Sequence, residues 1–185
     1  MDAQLFQGTR IRLAAPDPEH DAEIESQWTH MAEFARLMSA EPMRPLSPNA
    51  IKKKYEEKNP SPHNPDAIRF AIRALADNRL VGFVHFLRID WSNSGARFLL
   101  AIVNENDRGK GFGTEAMRLA LNYAFLEMNL YRLSANVLEC NERGLAFSRK
   151  HGFIDEVRRR QAVYRDGKYW NMVMLGLLRA DWSAK

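Results

Sequence analysis

The stretch that most constrains this chain is Arg108-Gly-Lys-Gly-Phe-Gly-Thr114. An apolar run, Phe98-Leu-Leu-Ala-Ile-Val103, precedes it, and an amphipathic run from Glu115 to Met128 follows. Strand, glycine-rich turn and helix is the order that aims backbone N–H groups at an anion such as a phosphate. Gly109, Gly111 and Gly113 let the backbone approach a ligand with no Cβ in the way. Arg108 at the front and Lys110 inside can add positive charge. Any fold for this chain must keep that strand, turn and helix together.

The chain has 185 residues, which suits one domain spanning 1–185 with room for a core. A hydrophobic content of 45% and a charged content of 27% are ordinary for a globular protein. The net charge of +4 is too mild to indicate a nucleic-acid partner. No apolar stretch approaches the roughly 20 residues of a membrane span, and residues 1–8 do not resemble a signal peptide. Cys140 is the lone cysteine, so no intrachain disulfide forms and a reducing cytoplasm is the expected compartment. No cluster reads as a metal site.

Thr9–Leu13 alternates as a first strand. Asp17 to about Met38 carries Ile24, Trp28, Met31, Phe34 and Met38 at helical spacing, which predicts one helix. A second helix is expected over Asn49–Lys58. Strands follow at Ile68–Arg73, Leu80–Ile89 and Arg97–Val103, joined by short turns into an antiparallel meander. The glycine turn then opens a helix from about Gly111 to Glu127, its Met117, Leu121, Ala124 and Met128 on one face. After it come a strand at Leu130–Leu138, a helix at Asn141–Lys150 stopped by His151-Gly152, and a strand at Phe153–Tyr164. Asp166-Gly167 is a type I′ hairpin signal, and Tyr169–Leu177 returns antiparallel. The sum is an α/β domain with a mixed, mostly antiparallel sheet flanked by helices.

These residues resemble the GNAT superfamily of acyl-CoA-dependent N-acetyltransferases. Its phosphate signature is Arg/Gln-x-x-Gly-x-Gly/Ala, matched by Arg108-Gly-Lys-Gly111-Phe-Gly113. Its second block is an Asn, a short helix and Gly-Phe, matched by Asn141 through Gly152-Phe153. The ending, Tyr164-Arg-Asp-Gly-Lys-Tyr-Trp170 and Leu178-Arg-Ala-Asp-Trp182, is similar to the branch of ribosomal-protein N-terminal acetyltransferases. The resemblance is sharp over about residues 80–182. A dinucleotide turn needs Gly-x-Gly-x-x-Gly, whereas these glycines fall at every second position, and a Walker loop needs a lysine directly before Thr114.

The resemblance implies the GNAT fold and acetyl-CoA as donor, with the acceptor a small-molecule or peptide amine: a protein N-terminus, a polyamine, an amino acid or an antibiotic amine. It implies that N–H groups over Gly109, Lys110, Gly111, Phe112, Gly113 and Thr114 hold the pyrophosphate, with Arg108 and Lys110 adding charge. Ala101, Ile102 and Val103 would line the pantetheine arm as an added strand. Asn141 would bond that arm, or cap the following helix, or both.

The proton-transfer groups depart from the family pattern. Where many relatives carry a Glu before the turn, this chain has about Arg97, which cannot act as a base. Where many carry a Tyr acid, it has Ser148, a hydrogen-bond donor to the leaving sulfur. His85 and Asp90 are candidate bases, and a water chain is another. Arg158-Arg-Arg160 reads as a solvated strand, the Trp28 to Met38 face as core, and Cys140 as no nucleophile. Relatives are often dimers, and an exposed apolar C-terminal strand allows a homodimer here. The missing Glu and Tyr keep a second class open, a non-catalytic acyl-CoA-binding sensor or interaction module.

Overall fold

The computed structural model describes residues 5–38, 40–42, 44–57 and 65–183. Its elements in chain order are β1 (Ile11–Ala14), α1 (Pro18–Thr29), α2 (Ala32–Met38), α3 (Pro48–Glu57), β2 (Ala67–Ala74), β3 (Leu80–Asp90), β4 (Gly95–Ile102), α4 (Phe112–Asn122), β5 (Arg132–Leu138), α5 (Glu142–Lys150), β6 (Ile154–Arg165), β7 (Lys168–Leu178) and α6 (Arg179–Ser183). The strands form one sheet in the order β1-β2-β3-β4-β5-β7-β6. Every neighbouring pair is antiparallel except β4 and β5.

The turns behave as their residues dictate. Asn78, Ser94 and Asp166 take positive φ, a conformation that Asn and Asp tolerate better than most, and Gly167 follows at φ 77 to complete the hairpin turn. One sheet face packs on α4 and α5 through Phe86, Phe98, Met117, Leu119 and Phe125. The other is covered by Trp28 and Phe34 over Phe83, Ala101 and Val103. Polar ties pin the covering helices to β2: Arg73 holds the buried Asp21 at 2.7 Å, and Arg69 pairs with Glu25. Tyr55 donates to Glu25 at 2.6 Å, and burial together with that carboxylate pushes its hydroxyl pKa upward. Among the described residues no helix is long and apolar enough to cross a membrane.

The sequence reading needs three adjustments. The expected helix from Asp17 to Met38 is two helices, broken at His30 and Met31. Thr29 Oγ1 donates to Ser26 O at 2.7 Å and accepts from Leu46 N at 2.9 Å, so this β-branched residue binds the incoming loop at the helix end. Met31 is exposed and drops out of the apolar face. The expected Asn49–Lys58 helix is α3, with Lys58 outside the described residues. The α4 helix continues through a π-helical turn at Tyr123–Glu127, closed by Met128 N to Tyr123 O at 2.9 Å.

Candidate active site

After a single 3₁₀ turn at Glu105–Asp107 the chain reverses through Gly109 (φ 76) and Gly111 (φ 86). Gly111 is the N-cap of α4 and supplies no side-chain cap. The first helical bond is Glu115 N to Gly111 O at 3.0 Å. The N–H groups of Phe112, Gly113 and Thr114 therefore have no helical acceptor and face outward with the positive end of the helix. A Cβ on Gly113 would sit 3.5 Å from Phe147 and 3.6 Å from Ile102, so α4 starts pressed against β4 and α5.

Two carboxylates that the sequence reading passed over hold this turn. Asp107, 3% exposed, takes a two-pronged bond from Arg79 at 2.6 Å on each oxygen. That guanidinium holds the Asp107 carboxyl below its usual range. Glu115 accepts from Thr9 N at 2.6 Å, Thr9 Oγ1 at 2.9 Å, Arg10 N at 2.8 Å and Ile11 N at 2.9 Å. Burial alone would raise this carboxyl, but the converging donors outweigh it and hold the pKa low. Gly8 is obligatory beside it, because a Cβ there would lie 2.2 Å from the carboxylate carbon. The signal available in the sequence was an acidic residue in a helix first turn, which many helices carry without such a role.

The cations around the turn are rearranged relative to expectation. Arg108 donates to Ile102 O at 3.3 Å and Val103 O at 2.8 Å, with Glu33 and Glu105 within 4 Å. It ties the turn to the end of β4, so its charge is already committed within the protein. Lys110 lies 3.8 Å from Asp107 and is exposed. Arg10, which the sequence reading did not select, reaches over the turn, its Nη1 3.0 Å from where a Gly111 Cβ would be.

Beyond the turn the sheet opens. β4 and β5 pair only over Gly95–Arg97 with Arg132–Ser134 and then diverge. Alternation along each strand decides which backbone groups face the gap. Val103 N bonds Val81 O, so residues 97, 99, 101 and 103 point their polar groups at β3. Phe98, Leu100 and Ile102 point theirs into the gap. Glu139 N bonds Asn171 O, which by the same parity turns Ser134, Asn136 and Leu138 of β5 toward the gap. Of the three strand residues expected at a cofactor, Ile102 alone presents its backbone there; Ala101 and the Val103 N–H belong to the β3 ladder, and Val103 O accepts from Arg108.

A narrow cleft of about 80 Å³ occupies the gap on the α4 and α5 side. Asn141 and Ser148 of the second motif line it, with Leu100 and Val137 from the two strands. Asn141 Oδ1 caps α5, accepting from Gly144 N at 2.9 Å, and its Nδ2 stays available as a donor. Ser148 is 9% exposed, and among the described residues its hydroxyl makes no hydrogen bond to the helix backbone. A helical serine that served only its own backbone would do so.

A second cavity of about 180 Å³ opens on the other face of the gap, lined by Glu41, Arg97, Asn136 and Met172. Leu37, Met38 and Asn136 line both spaces, so the two meet across the sheet. The loop after α2 is held over this cavity by the hairpin tip: Arg165 donates to Glu41 O at 3.1 Å, and Asp166 pairs with Arg36 at 3.0 Å.

The other proposed proton carriers sit elsewhere. His85 is 6% exposed on β3, cross-strand from Leu99, so β4 stands between it and the cleft. Asp90 is exposed, and its bonds from Asn93 hold its pKa down and build the β3–β4 turn. The Arg158–Arg160 segment lies on the exposed edge strand β6, as a solvated strand should. Cys140 is free, and Trp28, Phe34 and Met38 pack as core.

A model of the acetyltransferase (GNAT) domain matches residues 10–154, and the chain belongs to that family. Among its relatives, the Escherichia coli spermidine N(1)-acetyltransferase is 28% identical over 66% of this chain and 64% of its own. The Bacillus subtilis protein named "Putative ribosomal N-acetyltransferase YdaF" is 31% identical over 60% of each. The chain thus spans about three-fifths to two-thirds of the length of the curated relatives it matches. The Vibrio cholerae spermidine N-acetyltransferase, solved with CoA and spermine, superposes with a TM-score of 0.84 at 19% identity, covering 95% of this chain and 99% of that one. At that identity the likeness is one of fold.

Proposed function

We propose that the protein is an acetyl-CoA-dependent N-acetyltransferase that acts on a primary amine. The observation that carries this reading is the opening between β4 and β5, with the bare N-terminus of α4 on one side and Ser148 in its wall. Relatives named for amine acetylation support it.

The residues present suit coenzyme A. The N–H groups of Phe112, Gly113 and Thr114, with Arg10 and Lys110, would hold its pyrophosphate. The gap-facing backbone of Phe98, Leu100 and Ile102 would pair with the amides of its arm, and Asn141 Nδ2 would donate to it. When bound, acetyl-CoA supplies a thioester acyl group: a C–N bond to the amine replaces the C–S bond, the nitrogen loses a proton and the sulfur gains one. Ser148 donates a hydrogen bond where the sulfur leaves. An N–H of the β4 edge polarises the carbonyl. Glu41 is the one carboxylate lining either cavity among the described residues, and it is assigned to take the amine proton, directly or through water.

Self-association belongs to the same reading. The exposed edge is β6, with Ile154 and Val157 in solvent, while β7 is covered on both sides by β5 and β6. A Vibrio cholerae relative in fold is described as dodecameric. Light scattering on the eluting peak reads the oligomer directly.

The test of activity is thiol release from acetyl-CoA over an amine panel of N-terminal peptides, polyamines and amino acids. Turnover on some amine, lost in Gly111→Glu, is expected. Tight CoA binding with no turnover on any amine would instead mean a sensor.

A further inference from the structure

The second cavity carries an unusual charge arrangement. Arg97 lines it from β4, on the face away from α4 and α5. No carboxylate lies within ion-pair distance of its guanidinium among the described residues; burial and the neighbouring Arg88 both act to weaken its hold on its proton. An arginine stays cationic regardless, so the cavity wall keeps an unpaired, half-buried positive charge. Glu41 lines the same cavity at the α2 side. The wall therefore offers one cation and one carboxylate rather than a field of negative charge.

A polyamine acceptor is a chain of ammonium groups. Its distal amines would need acidic partners, and Arg97 would repel them. An amine that also bears a carboxylate has the complementary pattern. Its ammonium end faces Glu41, and its carboxylate end meets Arg97 in a two-pronged bond.

Building on the acetyltransferase reading, we infer that Arg97 is a specificity-determining residue and that the acceptor is an amine that also carries a carboxylate. A free amino acid and the N-terminus of a peptide with an acidic side chain near its start share that chemistry. Arg97 takes no part in the proton transfers. It selects and orients the acceptor, so its removal costs acceptor recognition and leaves the donor site intact.

The experiment compares wild type, Arg97→Met and Arg97→Lys. Acceptors are L-glutamate, its diamide, the peptide Ala-Asp-Ala amide and spermidine, followed by thiol release. In parallel, N-acetyl-L-glutamate and its diamide are titrated into the protein by calorimetry, with and without CoA. The expected result is a carboxylate preference of roughly tenfold to a hundredfold over the matched diamide, from one charge-assisted pair. Arg97→Met should erase that ratio and weaken N-acetyl-L-glutamate binding by a similar factor, with CoA affinity unchanged and Arg97→Lys recovering part of the loss. Glutamate against the peptide separates the two sources. Preference for spermidine, or a carboxylate preference that survives Arg97→Met, overturns the inference while leaving the acetyltransferase reading in place. If no amine turns over, the acetyltransferase reading fails and calorimetry decides the other: Arg97-dependent binding of N-acetyl-L-glutamate supports the subsite, and its absence refutes it.

Discussion

Glu115→Gln is the substitution for which the structure sets the clearest magnitude. The two carboxylate oxygens collect four donors: Thr9 N and Thr9 Oγ1 on one, Arg10 N and Ile11 N on the other. A glutamine has one carbonyl oxygen and one NH₂ group. With the amide oxygen turned to Arg10 N and Ile11 N, the NH₂ faces Thr9, whose hydroxyl can accept but whose backbone N–H is left donor against donor. That stranded N–H costs about 1–3 kcal/mol and the bonds to an uncharged oxygen are weaker, so the substitution destabilises by roughly 2–4 kcal/mol. For a domain of this size that lowers the unfolding midpoint by roughly 5–15 °C, read by calorimetry at pH 7.

The pH dependence adds a second reading. Glu115 is held below its ordinary value of 4.5 in the folded state. Its contribution is therefore complete above that value and lost as pH falls through the lower folded value. The gap between wild type and Glu115→Gln should close as acid is added below about pH 4.5. CoA binding should weaken as well, because the same carboxylate fixes the strand from which Arg10 reaches the turn. A midpoint unchanged to within about 2 °C at pH 7 would refute the assignment of these four bonds as the clamp on the phosphate turn.

Three smaller predictions concern the cleft. Ser148→Ala removes one hydrogen bond to the leaving sulfur and should lower kcat about tenfold with CoA affinity unchanged, measured by steady-state kinetics and calorimetry. Asn141→Asp keeps the α5 cap but removes the Nδ2 donor, so it should leave the unfolding midpoint near wild type and raise KM for acetyl-CoA severalfold; Asn141→Ala should lose both, with about 1 kcal/mol of stability. Arg10→Ala should weaken CoA binding about fivefold in low salt and much less at 1 M salt, where exposed charges are screened; a salt-independent loss would point to packing instead.

Much of the local structure around the proposed donor site was legible along the chain because its information is local. The glycines sit where φ turns positive, at Gly109 and Gly111, and the helix they open follows at once. The Asn141 cap opens the same short helix in which Ser148 follows about two turns later. The hairpin at Asp166-Gly167 needed no more than its two residues. What was misplaced depends on distant partners. Arg108 was expected to face a phosphate, but carbonyls at the end of β4 claim it. The long first helix broke where Leu46, seventeen residues further on, binds Thr29.

The chain alone therefore determined that a glycine-rich turn joins a strand to a helix, and that a second motif follows at a family-like spacing. Tertiary structure decided the rest. The parting of β4 from β5 is a property of two strands far apart in sequence, and it alone selects Phe98, Leu100 and Ile102 over Ala101 and Val103 as the open edge. The clamp of Glu115 on residues 9–11 spans more than a hundred positions, and no periodicity encodes it. Arg97 read as a missing base in one dimension; folded, it lines the second cavity with no carboxylate within ion-pair distance among the described residues. Local backbone preference is written residue by residue, whereas which charges end up unpaired depends on what the whole sheet brings beside them.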